Sequence, residues 1–415
     1  MSELERYLSA QQSQGNRDSQ GFFTLDQGRA LAKIREYQLA SPHEFILKLV
    51  ASAVAAGATY FFIEQSRTRL LIERDGRAFT FDELSNIFSA VLVSQANQEV
   101  AAVRELAVGL NGALHFRPRW VQVISSSEQG SVRLRLDSNQ LTVERFQEAT
   151  HQREFQGFGL EEDSADRTYF ELEGMQRSPL ELLKGVVQGA GEIVALRQRA
   201  ALCGLKVRLN GAPLDLTPDL GTPLIVTRSG RPGVRLPRVR VKAPNLSSSF
   251  DFPEADYCWL ALQPKPESHI QVVLHGVTYP ARLKYACFGL QAIVSVPGLR
   301  TDLSGSAIVE NEAFETVLET LSRQIDGLVT RLTAGLERLP VEARIEATDL
   351  LDHYAINCFE NGQHERAEGI FKRLRPVRTN TLTGRYDMAE RFARWSRQYR
   401  DAGVDTEASY YYRGI

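Results

Sequence analysis

The run Phe45–Phe88 constrains this chain more than any other stretch, because its signals switch from helix to strand and back over a short distance. Phe45, Leu49, Val50, Ala53 and Val54 recur at helical spacing, and Gly57 closes that helix. Tyr60–Ile63 and Arg69–Ile72 are short, β-branched and aromatic, which predicts a pair of strands. Asp75-Gly76 marks a turn, and Thr80 with Glu83 makes a capping box that opens the next helix. Upstream, Asp26–Tyr37 predicts a first helix with Leu31, Ile34 and Tyr37 on one face. Ser41 reads as the N-cap of the helix that opens the run, with Pro42 in its first turn and Glu44 at the third helical position.

The same order continues downstream. Arg119–Ser126 and Ser131–Asp137 alternate apolar and polar residues and predict an antiparallel pair, which Leu141–Phe146 extends and Arg167–Glu173 closes. A glycine-broken helix over Leu180–Leu202 precedes a strand at Leu205–Leu209, and Asn210-Gly211 is a hairpin signal. Gly221–Phe252 is rich in Gly, Pro, Ser and Arg and predicts a loop or edge strand; its run Arg228–Lys242 carries six basic residues and no acid. Tyr257–Leu262, His269–Leu274 and Gln291–Val296 read as strands, and Val309–Leu339 as an amphipathic helix with Phe314, Leu318, Leu321, Ile325 and Leu328 on its stripe. A helical hairpin follows: Leu350–Glu360, the Asn361-Gly362 turn, then His364–Leu374, with Pro376 expected to stop it. Part of it resembles half a tetratricopeptide repeat.

At 415 residues the chain exceeds one ordinary core. A formal net charge of −2 gives no electrostatic case for nucleic acid or membrane, so neither partner is expected. The basic run lacks interleaved aromatics, which weakens a single-stranded nucleic-acid reading and leaves an acidic partner as its sharper alternative. Cys203, Cys258, Cys287 and Cys358 lie far apart and read as buried thiols, not as a metal site. No run approaches the roughly 20 apolar residues that span a bilayer, and the polar start of the chain carries no secretory signal, so a cytoplasmic location is expected.

Leu49-Val50, Ala56-Gly57-Ala58-Thr59 and Ala107-Val108-Gly109-Leu110-Asn111-Gly112-Ala113-Leu114, in this order of elements, resemble the nucleotide-binding domain of the GHKL ATPases: gyrase, MutL and the ninety-kilodalton heat-shock chaperones. Gly298–Ser306 and the helix after it resemble the chaperone middle domain. The resemblance implies an α/β fold, with a GHKL-type two-layer α/β sandwich over 24–175 and a second α/β, transducer- or middle-like domain over 176–340. Outside it, the Gln-, Ser-, Asn- and Gly-rich start predicts a mobile arm over 1–23, and the hairpin pattern a C-terminal helical segment over 341–415.

It also implies where nucleotide chemistry would sit, and there the residues depart from the family pattern. The general-base glutamate falls on Lys48, the magnesium-binding asparagine on Ser52 and a helix aspartate on Ala55. The adenine-reading aspartate falls on Arg74 without a gap, or on Asp75 with one residue deleted, beside Gly76. Gly109 and Gly112 occupy the later glycine motif, and the arginine that reaches the terminal phosphate falls on Gly305. A lysine, with an ordinary pKa near ~10.4, takes no proton from water. The expectation is a non-hydrolysing, chaperone-like scaffold for protein partners, a pseudoenzyme needing no cofactor, with Phe79, Leu92 and Lys48 filling the old cleft. The alternative is a divergent ATPase that still uses ATP and magnesium. Homodimerisation through the C-terminal helices is the expected form of self-association.

Overall fold

In the computed structural model, the described residues are 39, 41–92, 98–137, 140–146, 166–177, 190–232, 234, 237–242, 244–250, 252, 255–265, 267–283, 289–296, 298–302, 305 and 307–378. The arm, the predicted helix over Asp26–Tyr37 and the chain beyond 378 lie outside them.

Among the described residues the fold is mixed α/β, with two sheets and a helical segment toward the C-terminal side. Helix α1 (Phe45–Ala55) follows a short 3-10 turn at Pro42–Glu44. Ser41 has the extended backbone of an N-cap but makes no side-chain capping bond, which corrects the capping expectation. Glu44 instead pairs with Arg199 at 3.0 Å. Gly57, at φ 75°, ends the helix in the left-handed region that glycine tolerates. Strands β1 (Tyr60–Gln65) and β2 (Arg69–Arg74) pair antiparallel as the sequence predicts. The Thr80–Glu83 capping box is present at the start of α2 (Phe81–Ser85). A 3-10 turn (Ile87–Leu92) then leads to α3 (Gln98–Ala113).

Strands β3 (Trp120–Ser127), β4 (Gly130–Asp137) and β5 (Gln140–Phe146) form a meander. Strand β6 (Arg167–Glu173) inserts between β3 and β2, so the predicted closing strand is central. Helix α4 (Gly191–Arg199) precedes β7 (Lys206–Leu209) and β8 (Ala212–Pro213). Strand β7 pairs parallel with β1, giving an eight-stranded order β5-β4-β3-β6-β2-β1-β7-β8. The sequence reading assigns Leu205–Leu209 to the second unit. The structure extends the first sheet with it, because β1 would otherwise present an open edge that β7 can satisfy.

Phe45 of α1 lies 6.4 Å from Phe170 of β6, so Phe170 and its cross-strand neighbours Ile72 and Val123 face the helices. Side chains alternate along a strand, which puts Tyr169, Glu73 and Phe62 on the other face. Fully buried Phe45, Phe61, Ile63, Leu70 and Leu110 form the core beneath the helices. Each such side chain contributes about 1.5–3 kcal/mol of hydrophobic stabilisation.

The second sheet is six-stranded, ordered β10-β9-β11-β14-β12-β13. Its members are β9 (Ile225–Gly230), β10 (Leu246–Ser249), β11 (Tyr257–Leu262), β12 (His269–Leu274), β13 (Val277–Ala281) and β14 (Leu290–Ser295). The Gly- and Arg-rich run thus contributes β9 and β10. Three of its six basic charges are met locally: Arg231 pairs with Asp256, Arg240 with Asp215 and Lys242 with Asp219.

Helix α5 (Glu312–Gly335) leans on this sheet, where Gly335 admits Leu246. Helices α6 (Val341–Glu360) and α7 (His364–Arg378) form the hairpin around Gly362, at φ 78°. Helix α7 runs through Pro376 to Arg378, where the sequence predicts a stop. A proline near the end of a helix forfeits one backbone donor but keeps a helical φ. Tyr354, Phe359 and Phe371 are buried inside this packing.

Candidate functional site

The residues that the sequence places in a nucleotide cleft fall into two groups. Lys48 and Ser52 of α1 meet Gly109 of α3 along one helix–helix seam. Arg74, Asp75 and Gly76 gather at the turn after β2.

The seam is closed. A Cβ on Gly109 would lie 2.9 Å from Leu49 Cδ2 and 3.3 Å from Lys48 Cβ. One on Gly112 would lie 2.9 Å from Phe45 Cβ, with Leu39 closer still. Both glycines stand inside a continuous helix and serve close approach of two helices, a use that glycine's missing side chain permits. The Ser52 hydroxyl donates to the Ala102 carbonyl oxygen at 2.8 Å, stitching α1 to α3 where a magnesium ligand would be needed.

Lys48 is 2% exposed and Glu105 of α3 6%, and Lys48 Nζ lies 3.0 Å from Glu105 Oε2. Nζ also donates to Tyr279 Oη of β13 at 3.2 Å. Burial alone would lower the Lys48 pKa, but the Glu105 charge and Tyr279 outweigh it and hold the ammonium above its ordinary value. Burial would raise Glu105, yet Lys48, and after it His275, hold its carboxyl below the usual range. The pair is therefore charged on both sides. On its other flank, a Cβ on Gly305, at φ 65°, would fall 2.5 Å from Lys48 Nζ. The two positions that the sequence aligns separately with a catalytic base and a phosphate-reaching arginine do meet in space, but as a lysine and a glycine in contact.

At the β2 turn the Asp75 carboxylate accepts three hydrogen bonds. Thr59 N–H and Tyr60 N–H donate to Oδ1 at 2.7 and 3.1 Å, and the Thr59 hydroxyl donates to Oδ2 at 2.6 Å. Gly76, at φ 81°, sits where a Cβ would lie 2.7 Å from the Ala56 oxygen. Arg74 turns its guanidinium over the Phe79 ring at 4.8 Å and donates from Nη1 to the carbonyls of Asp75 and Arg77, at 2.8 and 3.1 Å. Burial, with Arg77 adding to it, pushes Arg74 down to about 9. Phe79 is buried too, its N–H donating to Ser125 Oγ at 2.7 Å. Lys48 and Phe79 are thus both packed inward; the Leu92 side chain lies outside the described residues.

Sequence reasoning missed Glu105, Tyr279 and His275, and it also missed the Glu192 cluster. Glu192 of α4, fully buried, takes contacts from His43 Nδ1 and Arg177 Nη2 at 3.1 Å each, and from Gln65 Nε2 at 3.1 Å. Burial would raise its carboxyl, but the His43 hydrogen bond and the Arg177 charge hold it low. None of these partners is near the other in sequence, so no local signal marks them. A depression of about 730 Å3 opens elsewhere, lined among others by Phe81, the β3–β4 turn and Arg145.

No protein-family profile matches the sequence, and no curated protein does. Among solved structures the chain is similar to the B subunit of DNA gyrase from Myxococcus xanthus, at 11% identity and a TM-score of 0.41, over 72% of this chain and 95% of that one.

Proposed function

We propose that this chain is a GHKL-type protein whose nucleotide cleft has become packing, and that it acts as a non-hydrolysing protein-interaction or regulatory scaffold in the cytoplasm. The observation that carries this reading is Lys48: its ammonium is neutralised by Glu105 and covered by Tyr279 and Gly305, so the place of a general base holds a sealed cation. ATP and magnesium do not fit the residues present. The Ser52 hydroxyl is engaged with a backbone oxygen, and the Asp75 carboxylate, which alone could accept an adenine amino proton, is engaged by Thr59 and Tyr60. Purified protein is expected to release phosphate from ATP at the rate of a blank. Magnesium-dependent, saturable release that disappears in Asp75→Ala would overturn the reading.

The partner surface is assigned to the C-terminal helices, with a second copy as its first occupant. Val341 (70% exposed) and Ile345 (45%) stand one turn apart at the start of α6 and leave apolar area in water. Light scattering is expected to give a dimer for the full chain and a monomer for Val341→Asp/Ile345→Asp. Equal masses for both would remove this part of the proposal.

A further inference from the structure

We propose that Lys48, Glu105 and Tyr279 form a clasp that couples the two sheets into one cooperative unit without any ligand. The inference rests on packing alone and stands whether or not nucleotide binds.

Lys48 and Glu105 belong to helices laid on the first sheet, whereas Tyr279 belongs to an edge strand of the second. The Tyr279 ring lies 5.8 Å from Lys48 Nζ of α1 and 4.8 Å from Arg199 Cζ of α4, so two cations meet it. Arg199 Nε donates to the Thr278 carbonyl at 3.0 Å, and the Thr278 hydroxyl donates back to the Arg199 carbonyl at 3.2 Å. The turn that introduces β13 is seated just as closely. His275 and Gly276 both have positive φ, and a Cβ on Gly276 would lie 2.6 Å from Cys203 Cα and 3.0 Å from Val54 Cγ2. Gly305 grips the same lysine from a second, separate loop of the same unit.

Lys48 is therefore held between Tyr279 of β13, the Gly305 loop and Glu105 of α3. Interfaces between units of a chain ordinarily leave relative motion open unless they are large and apolar. Opening the interface would leave Lys48 and Glu105 together, but it would strip from Lys48 the Tyr279 hydroxyl and ring and the Gly305 contact, the links that cross between the sheets. Lys48 and Gly305 stand where the resemblance puts a catalytic base and a phosphate-reaching arginine, and here side chains do the joining.

The chain's own tryptophans test this. Trp120 lies in β3 of the first sheet and Trp259 in β11 of the second. In two reporter proteins, each keeping one of these and carrying Phe at the other and at Trp395, fluorescence follows each sheet through urea unfolding. With the clasp intact the two transitions are expected to coincide. Lys48→Ala is expected to split them, with Gly305→Ala and Tyr279→Phe giving smaller splits. Transitions that already differ with the clasp intact would overturn the proposal. So would transitions that move together to lower urea in every variant, since the cluster would then stabilise without coupling. Should Lys48→Ala fail to fold, Tyr279→Phe, which deletes one hydroxyl, decides the matter by the same criterion.

Discussion

Two glutamates beside the first sheet are withdrawn from water, and their carboxyls shift in opposite directions. Glu105, in the helix layer, faces Lys48 at 3.0 Å and keeps its charge against the pull of burial. Glu73, on the far face of the sheet, is 0% exposed, accepts one hydrogen bond from Tyr60 Oη at 3.1 Å and sees Arg167 only at 3.9 Å. Burial dominates there and pushes its carboxyl up to about 7. The difference is the partner, not the depth. A buried acid stays ionised when a cation closes on it, and takes up a proton when the cation stands off.

That contrast can be broken most severely at the pair. Lys48→Ala or Glu105→Ala leaves one buried charge alone and is expected to cost about 3–5 kcal/mol in urea unfolding. The double variant Lys48→Met/Glu105→Leu is expected to recover most of that loss. The pH dependence has a fixed sign. Glu105 lies below its ordinary value, so its contribution is present above that value and is lost as pH falls through the folded pKa. Lys48 lies above its ordinary 10.5, so its contribution is present below 10.5 and is lost as pH rises through the folded pKa.

Glu73 runs the other way. Its folded pKa is raised, so its contribution is fully present below 4.5 and is lost as pH rises through about 7. Glu73→Gln is therefore expected to stabilise the protein at pH 8 by up to roughly 3 kcal/mol and to change little at pH 4. Denaturation midpoints at the two pH values check it; equal shifts at both would refute the assigned protonation.

A smaller effect is expected at the β2 turn. Asp75→Asn keeps the shape but weakens hydrogen bonds to a charged acceptor, and should cost about 1–3 kcal/mol. A larger effect on nucleotide binding than on the urea midpoint would contradict the structural use of this carboxylate.

The local signals were legible where one segment carries its own pattern. The Thr80–Glu83 box, Gly57, the Asn361-Gly362 turn and the β3–β4 pair all read directly from neighbouring residues. Strand β7 was misassigned because a parallel pairing with β1 leaves no mark in either strand. The candidate site was half legible. Family spacing brought Lys48 and Gly305 to one place, but their neutralising partners Glu105 and Tyr279 come from distant segments whose own patterns read only as helix and strand. Gly109 and Gly112 show the same limit: a glycine needed at a phosphate and a glycine needed between helices look alike until the helix they face is known.

The central claim, that the cleft is closed to nucleotide, is tested most directly by calorimetric titration of the full chain with ATP and magnesium. The account predicts no saturable heat, and none in Lys48→Ala either, since Arg74, Phe79 and the Asp75 contacts still close the turn. Saturable binding by the unaltered protein, lost in Asp75→Ala, would contradict it.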